Sequence, residues 1–133
     1  MRALLVPVGD DTYAVPVAAA REVVSEPRPT PVPTAPECVR GLLNVRGEIV
    51  PLLDLGALLG AAPTPSCAYA VVVDSAAGRG ALAATALPQV GELAEVVATP
   101  ELHGALAVHR SGARLVTLLD LDSVLDPARI AGA

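Results

Sequence analysis

Few side chains in this chain of 133 residues have the chemistry of a catalytic or metal site. The candidate zinc ligands are Cys38, Cys67, His103 and His109. Structural zinc sites draw their ligands in closely spaced pairs, and the spacing of these four residues matches no such pairing. The serines lie outside any Gly-x-Ser-x-Gly motif, and the sequence contains no glycine-rich phosphate loop. The sequence therefore predicts no metal, no cofactor and no catalytic centre.

Two aspartates stand in similar local contexts, Asp54 in LLDLGALLG and Asp120 in LLDLDSVLD. To act as an acid–base pair they would have to meet, whereas an aspartate between a strand and a helical turn commonly caps that turn. We favour capping for both, with Gly60 ending the first turn. Capping predicts that Asp54→Ala costs about 1 kcal/mol of stability. A small enzyme that uses Asp54, Asp74 or His109 is the alternative hypothesis.

Both aspartates belong to a longer internal repeat. Residues Ile49–Gly60 and Leu115–Asp126 agree at six of twelve positions when the sequence is displaced by 66 residues. Solenoid repeats are shorter and more numerous than this. The repeat therefore predicts two similar strand-rich subdomains, each with a strand, a cap and a short helical turn at this place. Units of this size suggest small barrels, which close on themselves and leave no exposed edge.

The composition also favours β-structure. The chain is 53% hydrophobic but contains no phenylalanine or tryptophan, so valine, leucine and alanine must fill its interior. β-Branched residues pack well on pleated sheets. Residues 27–37 contain five prolines and predict an extended, stiff surface segment.

One predicted hairpin displays a charge. Residues 42–45 and 48–53 are its strands, and it turns at Arg46 and Gly47, where Gly47 supplies a positive φ. Arg46 then stands between the apolar Val45 and Ile49. An arginine flanked by apolar residues is typical of protein interfaces.

The charge balance limits the classes of partner. The chain has nine arginines, no lysine and fourteen acidic residues, for a net charge of −5. Nucleic-acid binding needs clustered cations, and the sequence has no basic run. No apolar run approaches the roughly 18 residues of a membrane helix, so no membrane insertion is expected. Two cysteines form no disulfide framework, which favours a cytoplasmic location.

The sequence resembles the CheW-like domain of bacterial chemotaxis coupling proteins. The motif Gly-x-x-Asn-x-Arg-Gly-x-x-x-Pro-x-x-Asp-Leu is present at Gly41, Asn44, Arg46, Gly47, Pro51, Asp54 and Leu55. This resemblance implies two intertwined, five-stranded SH3-like barrels with short helical turns. It also implies a non-catalytic adaptor that joins chemoreceptor cytoplasmic tips to the regulatory domain of a CheA-type histidine kinase.

The resemblance places the family's partner-contact residues at Arg46 and Glu22, and the other roles follow from the hairpin and cap patterns described above. Partner contacts are expected at Arg46, Glu22, Val45, Gly47 and Glu48, and structural caps or turns at Asp54, Asp120, Gly41 and Gly60. The first subdomain is expected at about residues 13–65 and the second at about 66–133, with N-terminal strands crossing between them.

The second half departs from the family pattern. The run GRGALAATALPQV lacks the aspartate that the family has there. The segment of residues 90–107 is also shorter than the loop and strand that the family usually has at this place. A diverged member with fewer or different partners in another chemosensory pathway is therefore the second hypothesis.

Overall fold

The computed structural model describes residues 1–64 and 66–132. It is 51% strand and 13% helix, arranged in two sheets. The predicted all-β fold with short helices is thereby confirmed. Pro65 and Ala133, the ends of the two predicted subdomains, lie outside the described residues.

The described residues contain eleven strands and four short helices. The strands are β1 (Arg2–Val8), β2 (Asp11–Pro16), β3 (Ala20–Ser25), β4 (Val39–Val45), β5 (Glu48–Leu53), β6 (Tyr69–Ser75), β7 (Gly78–Ala84), β8 (Gln89–Glu92), β9 (Val96–Ala98), β10 (Ala105–Ser111) and β11 (Arg114–Leu119). The helices are a 3-10 turn (Val17–Ala19), α1 (Leu55–Leu58), α2 (Leu121–Val124) and α3 (Pro127–Gly132). The central sheet has the order β3-β6-β7-β5-β4, and the terminal sheet has the order β8-β1-β2-β11-β10-β9.

The two sheets have the same topology. Strands β4 and β5 with helix α1 recur as β10, β11 and α2 at a displacement of 66 residues. The one parallel pairing within each sheet is also equivalent, because β5 pairs with β7 as β11 pairs with β2. The predicted repeat of a strand, a cap and a helical turn is confirmed in both places.

The strand pairing departs from the predicted division of the chain near residue 65. Strands β6 and β7 follow that boundary but pair with β3 and β5 in the central sheet. The N-terminal hairpin β1–β2 pairs with strands from the C-terminal half, which agrees with the expected crossing of N-terminal strands between the subdomains. The central unit, defined here by strands β3 to β7, is thus nearly continuous in sequence. The terminal unit contains the remaining strands, which are β1 and β2 from the start of the chain and β8 to β11 from its end.

In each sheet the chain crosses from one edge to the opposite edge and closes the sheet there. After β3 the chain crosses to the opposite edge, where Thr30 and Leu42 exchange backbone hydrogen bonds of 2.8 and 2.9 Å. In the terminal sheet β9 makes the equivalent crossing and pairs with β10. The terminal sheet has six strands rather than the expected five because this crossing is a regular strand there. In the central sheet the same contact is an isolated bridge.

A shared core joins the two units. Its main cluster contains side chains of both sheets together with leucines of α1 and α2. The largest fully buried side chains are Leu52, Leu53, Leu55, Leu82, Leu119, Val6, Val15, Val50, Val71, Val72, Val73 and Val116. These residues are aliphatic, as the composition predicts.

Arg129 of α3 ties the C-terminal helix to both units. Its guanidinium donates to the Ser123 hydroxyl at 3.1 Å and to the carbonyl oxygen of Leu58 at 3.3 Å. It also donates to the carbonyl oxygen of His103. The last carbonyls of a helix lack partners within the helix, so Arg129 completes the end of α1.

Gly41 is the position where closure of the central sheet leaves no space for a side chain. It has a φ of 145°, and a Cβ there would lie 2.7 Å from the Thr30 carbonyl oxygen. We expect Gly41→Ala to lower the free energy of unfolding by about 2–4 kcal/mol, measured by urea denaturation. Gly47→Ala is the matched control: its φ is 84°, but nothing lies within 4 Å of the added Cβ. This control should lose only about 1 kcal/mol. Equal losses in the two variants would contradict the steric explanation.

Candidate functional site

Asp54 and Asp120 are structural caps in separate units. Asp54 accepts the Ala57 N–H at 3.2 Å, and Asp120 accepts the Ser123 N–H at 3.4 Å. Both have the extended φ and ψ angles of a residue that precedes a helix. Gly60 follows α1 with a φ of 83°, which is the left-handed conformation typical of a helix end.

Asp54 has a second structural task that Asp120 does not share. Its side chain is 2% exposed. Its Oδ2 accepts the Thr64 N–H at 2.8 Å and lies 3.4 Å from the Arg40 guanidinium. Arg40 also donates to the Thr64 carbonyl oxygen. Asp54 therefore fastens the segment after α1 to strand β4, in addition to capping α1.

The duplication allows a matched comparison of the two caps. Asp120→Ala removes a cap and should cost about 1 kcal/mol. Asp54→Ala also leaves the partly buried Arg40 without its carboxylate, so we expect a loss of about 2–3 kcal/mol. Urea denaturation of both variants measures the difference. Equal losses would show that the contacts of Asp54 beyond the cap contribute nothing to stability.

Arg46 occupies a strained turn at the tip of the β4–β5 hairpin. Val45 and Glu48 form the last strand pair, so Arg46 and Gly47 are the two loop residues. Their φ angles are 52° and 84°, as in a type I′ turn. The Asn44 side chain accepts the Gly47 N–H at 2.9 Å and holds the turn. Asparagine or glycine usually fills the place of Arg46, because other residues are disfavoured with positive φ.

The Arg46 side chain meets Glu22 across the closed edge of the central sheet. Its Nε lies 3.1 Å from Glu22 Oε1, although β3 and β4 are the outermost strands in the order of the sheet. Arg46 is 83% exposed and Glu22 is 30% exposed. An exposed ion pair contributes little stability, on the order of 0.2–1 kcal/mol. The pair therefore presents charge at the surface more than it stabilises the fold.

The other predicted contact residues divide between surface and interior. Gly47 and Glu48 are exposed, and Glu48 accepts a 2.9 Å hydrogen bond from Arg79. Val45 is partly buried against the core of the central sheet. Ile49 is instead 58% exposed. Leu42 is an exposed residue that the sequence analysis did not identify, although strict alternation along β4 places it on the face opposite the buried Leu43.

The terminal unit has no equivalent of this ion pair. The position 66 residues after Arg46 is Gly112, which has a φ of 59° in the equivalent hairpin turn. Gln89 of β8 corresponds to Glu22 of β3, because Gln89 pairs with Leu5 of β1 as Glu22 pairs with Val72 of β6. The two units share their backbone but not this charge, so the pair is not required by the fold.

The residues of the rival enzyme hypothesis do not form a catalytic arrangement. Asp74 receives hydrogen bonds from Arg79 and Arg21, which lower its pKa to about 2. A general acid or base at neutral pH needs a pKa near 7, so this shift has the wrong direction. His109 is on the terminal sheet, where its Nδ1 lies 2.9 Å from the Ala94 carbonyl oxygen. Asp54 is committed to its cap and its ion pair.

The candidate zinc ligands do not form a cluster, and both cysteines contact backbone carbonyl groups instead. Cys38 is buried and its thiol contacts the Ile130 carbonyl oxygen, while the Cys67 thiol contacts the Tyr69 carbonyl oxygen. Burial raises the pKa of both thiols, which keeps them protonated. Within residues 1–64 and 66–132, no three histidine, cysteine or acidic residues are grouped so as to hold a metal ion.

The family is decided by comparison with known sequences. A family model described as the CheW-like domain matches residues 2–129. The chain belongs to the CheW-like domain family. It is 30% identical over 130 residues to the Chemotaxis protein CheW of Rhizobium meliloti (strain 1021), covering 88% of this chain and 82% of that relative. It is 26% identical over 141 residues to the Chemotaxis protein CheW of Klebsiella aerogenes, covering 96% of this chain and 83% of the relative.

A solved structure shows the same CheW-like fold. The scaffolding protein TtCheW from Thermoanaerobacter tengcongensis superposes with a TM-score of 0.80 at 18% identity, covering 92% of this chain and 90% of that chain. The family resemblance inferred from the Gly41–Leu55 motif is therefore confirmed. In the described part of the chain, none of the helices is both long and apolar enough to span a membrane.

The surface position of Arg46 predicts how its variants affect stability. Arg46→Ala removes an exposed pair and should change the free energy of unfolding by no more than about 1 kcal/mol. Arg46→Gly should be at least as stable as Arg46→Ala, because glycine adopts a φ of 52° without strain. Thermal and urea denaturation measure both variants. A loss of 2 kcal/mol or more in either, by the scale of buried interactions, would show that Arg46 is part of the structural core.

Proposed function

We propose that this CheW-like protein is a non-catalytic scaffold of chemotaxis-type signal transduction in the bacterial cytoplasm. It couples a chemoreceptor cytoplasmic tip to the regulatory domain of a CheA-type histidine kinase. Membership of the family supports the proposal, together with relatives named for chemotaxis and a structural relative named as a scaffolding protein. Neither a cofactor nor a nucleic acid takes part.

The exposed Arg46–Glu22 pair is the observation that carries the proposal to particular residues. A non-glycine residue is held in a left-handed turn and displayed to solvent, in one unit of a duplicated fold. Strain of this kind, when it adds nothing evident to stability, is characteristic of functional positions. The unit without the pair has glycine in the equivalent turn, so the turn itself does not need arginine.

The surroundings of Arg46 suit a protein partner. Its Nε–H donates to Glu22, and the remaining guanidinium donors face solvent, where a partner carboxylate or carbonyl can accept them. Ile49 and Leu42 expose apolar surface on the same hairpin. Arginine beside apolar groups is a frequent combination at interface hot spots.

A second candidate function is a scaffold with fewer or different partners in another chemosensory pathway. The observation that favours it is the uneven distribution of charge. The terminal unit lacks the ion pair, and the run GRGALAATALPQV, which begins with β7 of the central unit, lacks the aspartate expected from the family. On this hypothesis the protein binds only one of the two family partners with useful affinity.

Calorimetric titration of the full chain with a kinase regulatory domain and with a receptor tip fragment, each alone, tests both candidates. Arg46→Ala should weaken binding to at least one partner about thirtyfold, which corresponds to about 2 kcal/mol. Arg46→Lys should fail almost as badly, because lysine lacks the planar fork of donors.

Arg114→Ala is the matched control. Arg114 ends the equivalent hairpin of the terminal unit, is exposed, and carries the same charge. Its loss should leave affinity unchanged within about twofold, the range of surface substitutions. Unchanged binding of a folded Arg46→Ala variant to both partners would refute the assigned contact. Binding of the wild-type chain to one partner alone would favour the second candidate.

A further inference from the structure

Four neighbouring strands of the central sheet each contribute one charged residue at the same end of the sheet. These residues are Arg21 of β3, Asp74 of β6, Arg79 of β7 and Glu48 of β5. Asp74 accepts hydrogen bonds from both Arg21 and Arg79, with a distance of 3.0 Å from Arg79 Nη2 to Asp74 Oδ2. Arg79 Nη1 also donates to Glu48 at 2.9 Å. The contacts therefore form one continuous network with Asp74 at its centre.

The first arm of the network ends beside Glu22. In the pairing of β3 with β6, Ala20 faces Val73 and Glu22 faces Val72, so Arg21 is an extra residue in a bulge. Bulges redirect the side chains beside them. The bulged Arg21 binds Asp74, and this contact fixes the bulge from which Glu22 reaches Arg46.

The second arm ends beside Arg46. Glu48 closes the hairpin opposite Val45, directly after the two turn residues. Arg79 holds the Glu48 carboxylate with one nitrogen and Asp74 with two others. The guanidinium fork thus connects the hairpin that carries Arg46 to the strand that carries Asp74.

Asp74 is well placed to hold both arms. Its side chain is 23% exposed, the least exposed of the four. Asp74 and Arg79 face each other across the β6–β7 hairpin. The equivalent facing pair in the β1–β2 hairpin is Pro7 and Thr12, so the terminal unit has neither this network nor the exposed ion pair.

We propose that Asp74 is a positioning residue, which fixes Glu22 through the Arg21 bulge and Arg46 through Arg79 and Glu48. Its role in partner binding rests on the proposed function, whereas its effect on the geometry of the ion pair does not. Asp74 makes no partner contact itself. It limits the freedom of two exposed side chains before a partner arrives, which reduces the ordering cost of binding.

The arginine Nε–H signals of the ¹⁵N-labelled full chain test the positioning directly. In the wild type the Arg46 Nε–H donates to Glu22 and should be slow in hydrogen exchange relative to an unbonded arginine. Asp74→Asn should accelerate its exchange by up to about fivefold and move its signal towards that seen in Glu22→Gln. Glu95→Gln is the matched control: it also removes one carboxylate that pairs with an arginine, Arg110, at 2.7 Å. It should leave the Arg46 signal unchanged.

A second measurement separates positioning from general structural damage. Asp74→Asn should weaken partner binding at least fivefold in the wild-type background and less than twofold in the Arg46→Ala background, because it acts through Arg46. Equal loss in both backgrounds would overturn the proposal. If Asp74→Asn fails to fold, Arg21→Gln tests the bulge arm alone, since it leaves the contact between Asp74 and Arg79 intact.

The outcomes distinguish this inference from the proposed function. An unchanged Arg46 signal in folded Asp74→Asn, or in Arg21→Gln, overturns the positioning role whatever the binding data. A changed signal in a chain that binds neither the kinase domain nor the receptor fragment supports the positioning role and refutes the proposed function.

Discussion

Closure of the central sheet is the constraint from which the candidate site follows. Strands β3 and β4 are the two ends of the strand order, and the segment after β3 closes the sheet through backbone hydrogen bonds between Thr30 and Leu42 of β4. Gly41 permits this approach, because any side chain there would overlap the Thr30 carbonyl. Only in the closed sheet can Glu22 of β3 meet Arg46 of the β4–β5 turn. The ion pair is therefore a consequence of long-range closure rather than of local sequence.

The internal duplication separates the features that the fold requires from those that it does not. Both units have the aspartate cap, the helical turn and the parallel strand pair, since each contributes to the shared core. The units differ in the charges at their hairpin ends, where packing imposes no requirement. The charged end of the central unit contains Arg46, Glu22 and the network around Asp74. The difference between the two units therefore identifies this charged end as a distinct surface.

The sequence predicts the local features well. The caps, the hairpin turn at Arg46 and Gly47 and the repeat follow from residue types at short spacing, and the structure contains all three. The motif from Gly41 to Leu55 was specific enough to indicate the family. Features that depend on strands far apart in the sequence were harder to predict. The predicted division near residue 65 overlooked the pairing of β6 and β7 with β3 and β5, because hydrophobic periodicity does not reveal which strands pair.

The limits were similar within the site. Two sets of contacts join residues from different strands, and no local sequence motif predicts them. These are the pairing of Asp54 with Arg40 and the network of Asp74. An aspartate and an arginine on either side of the β6–β7 turn were the one available signal, because facing residues of a hairpin commonly pair. Ile49 is exposed and Val45 is partly buried because the register of the β4–β5 pairing puts the two residues on opposite faces of the hairpin.

On the proposed function, the charged end of the central unit is the surface that meets a signalling partner. The most direct measurement is a backbone ¹⁵N NMR titration of the full chain with the kinase regulatory domain and, separately, with the receptor tip fragment. We expect at least one partner to shift signals clustered around Glu22, Arg46 and Ile49, with little change around Gly112 in the equivalent turn. Saturable shifts confined to the terminal unit for both partners would contradict it.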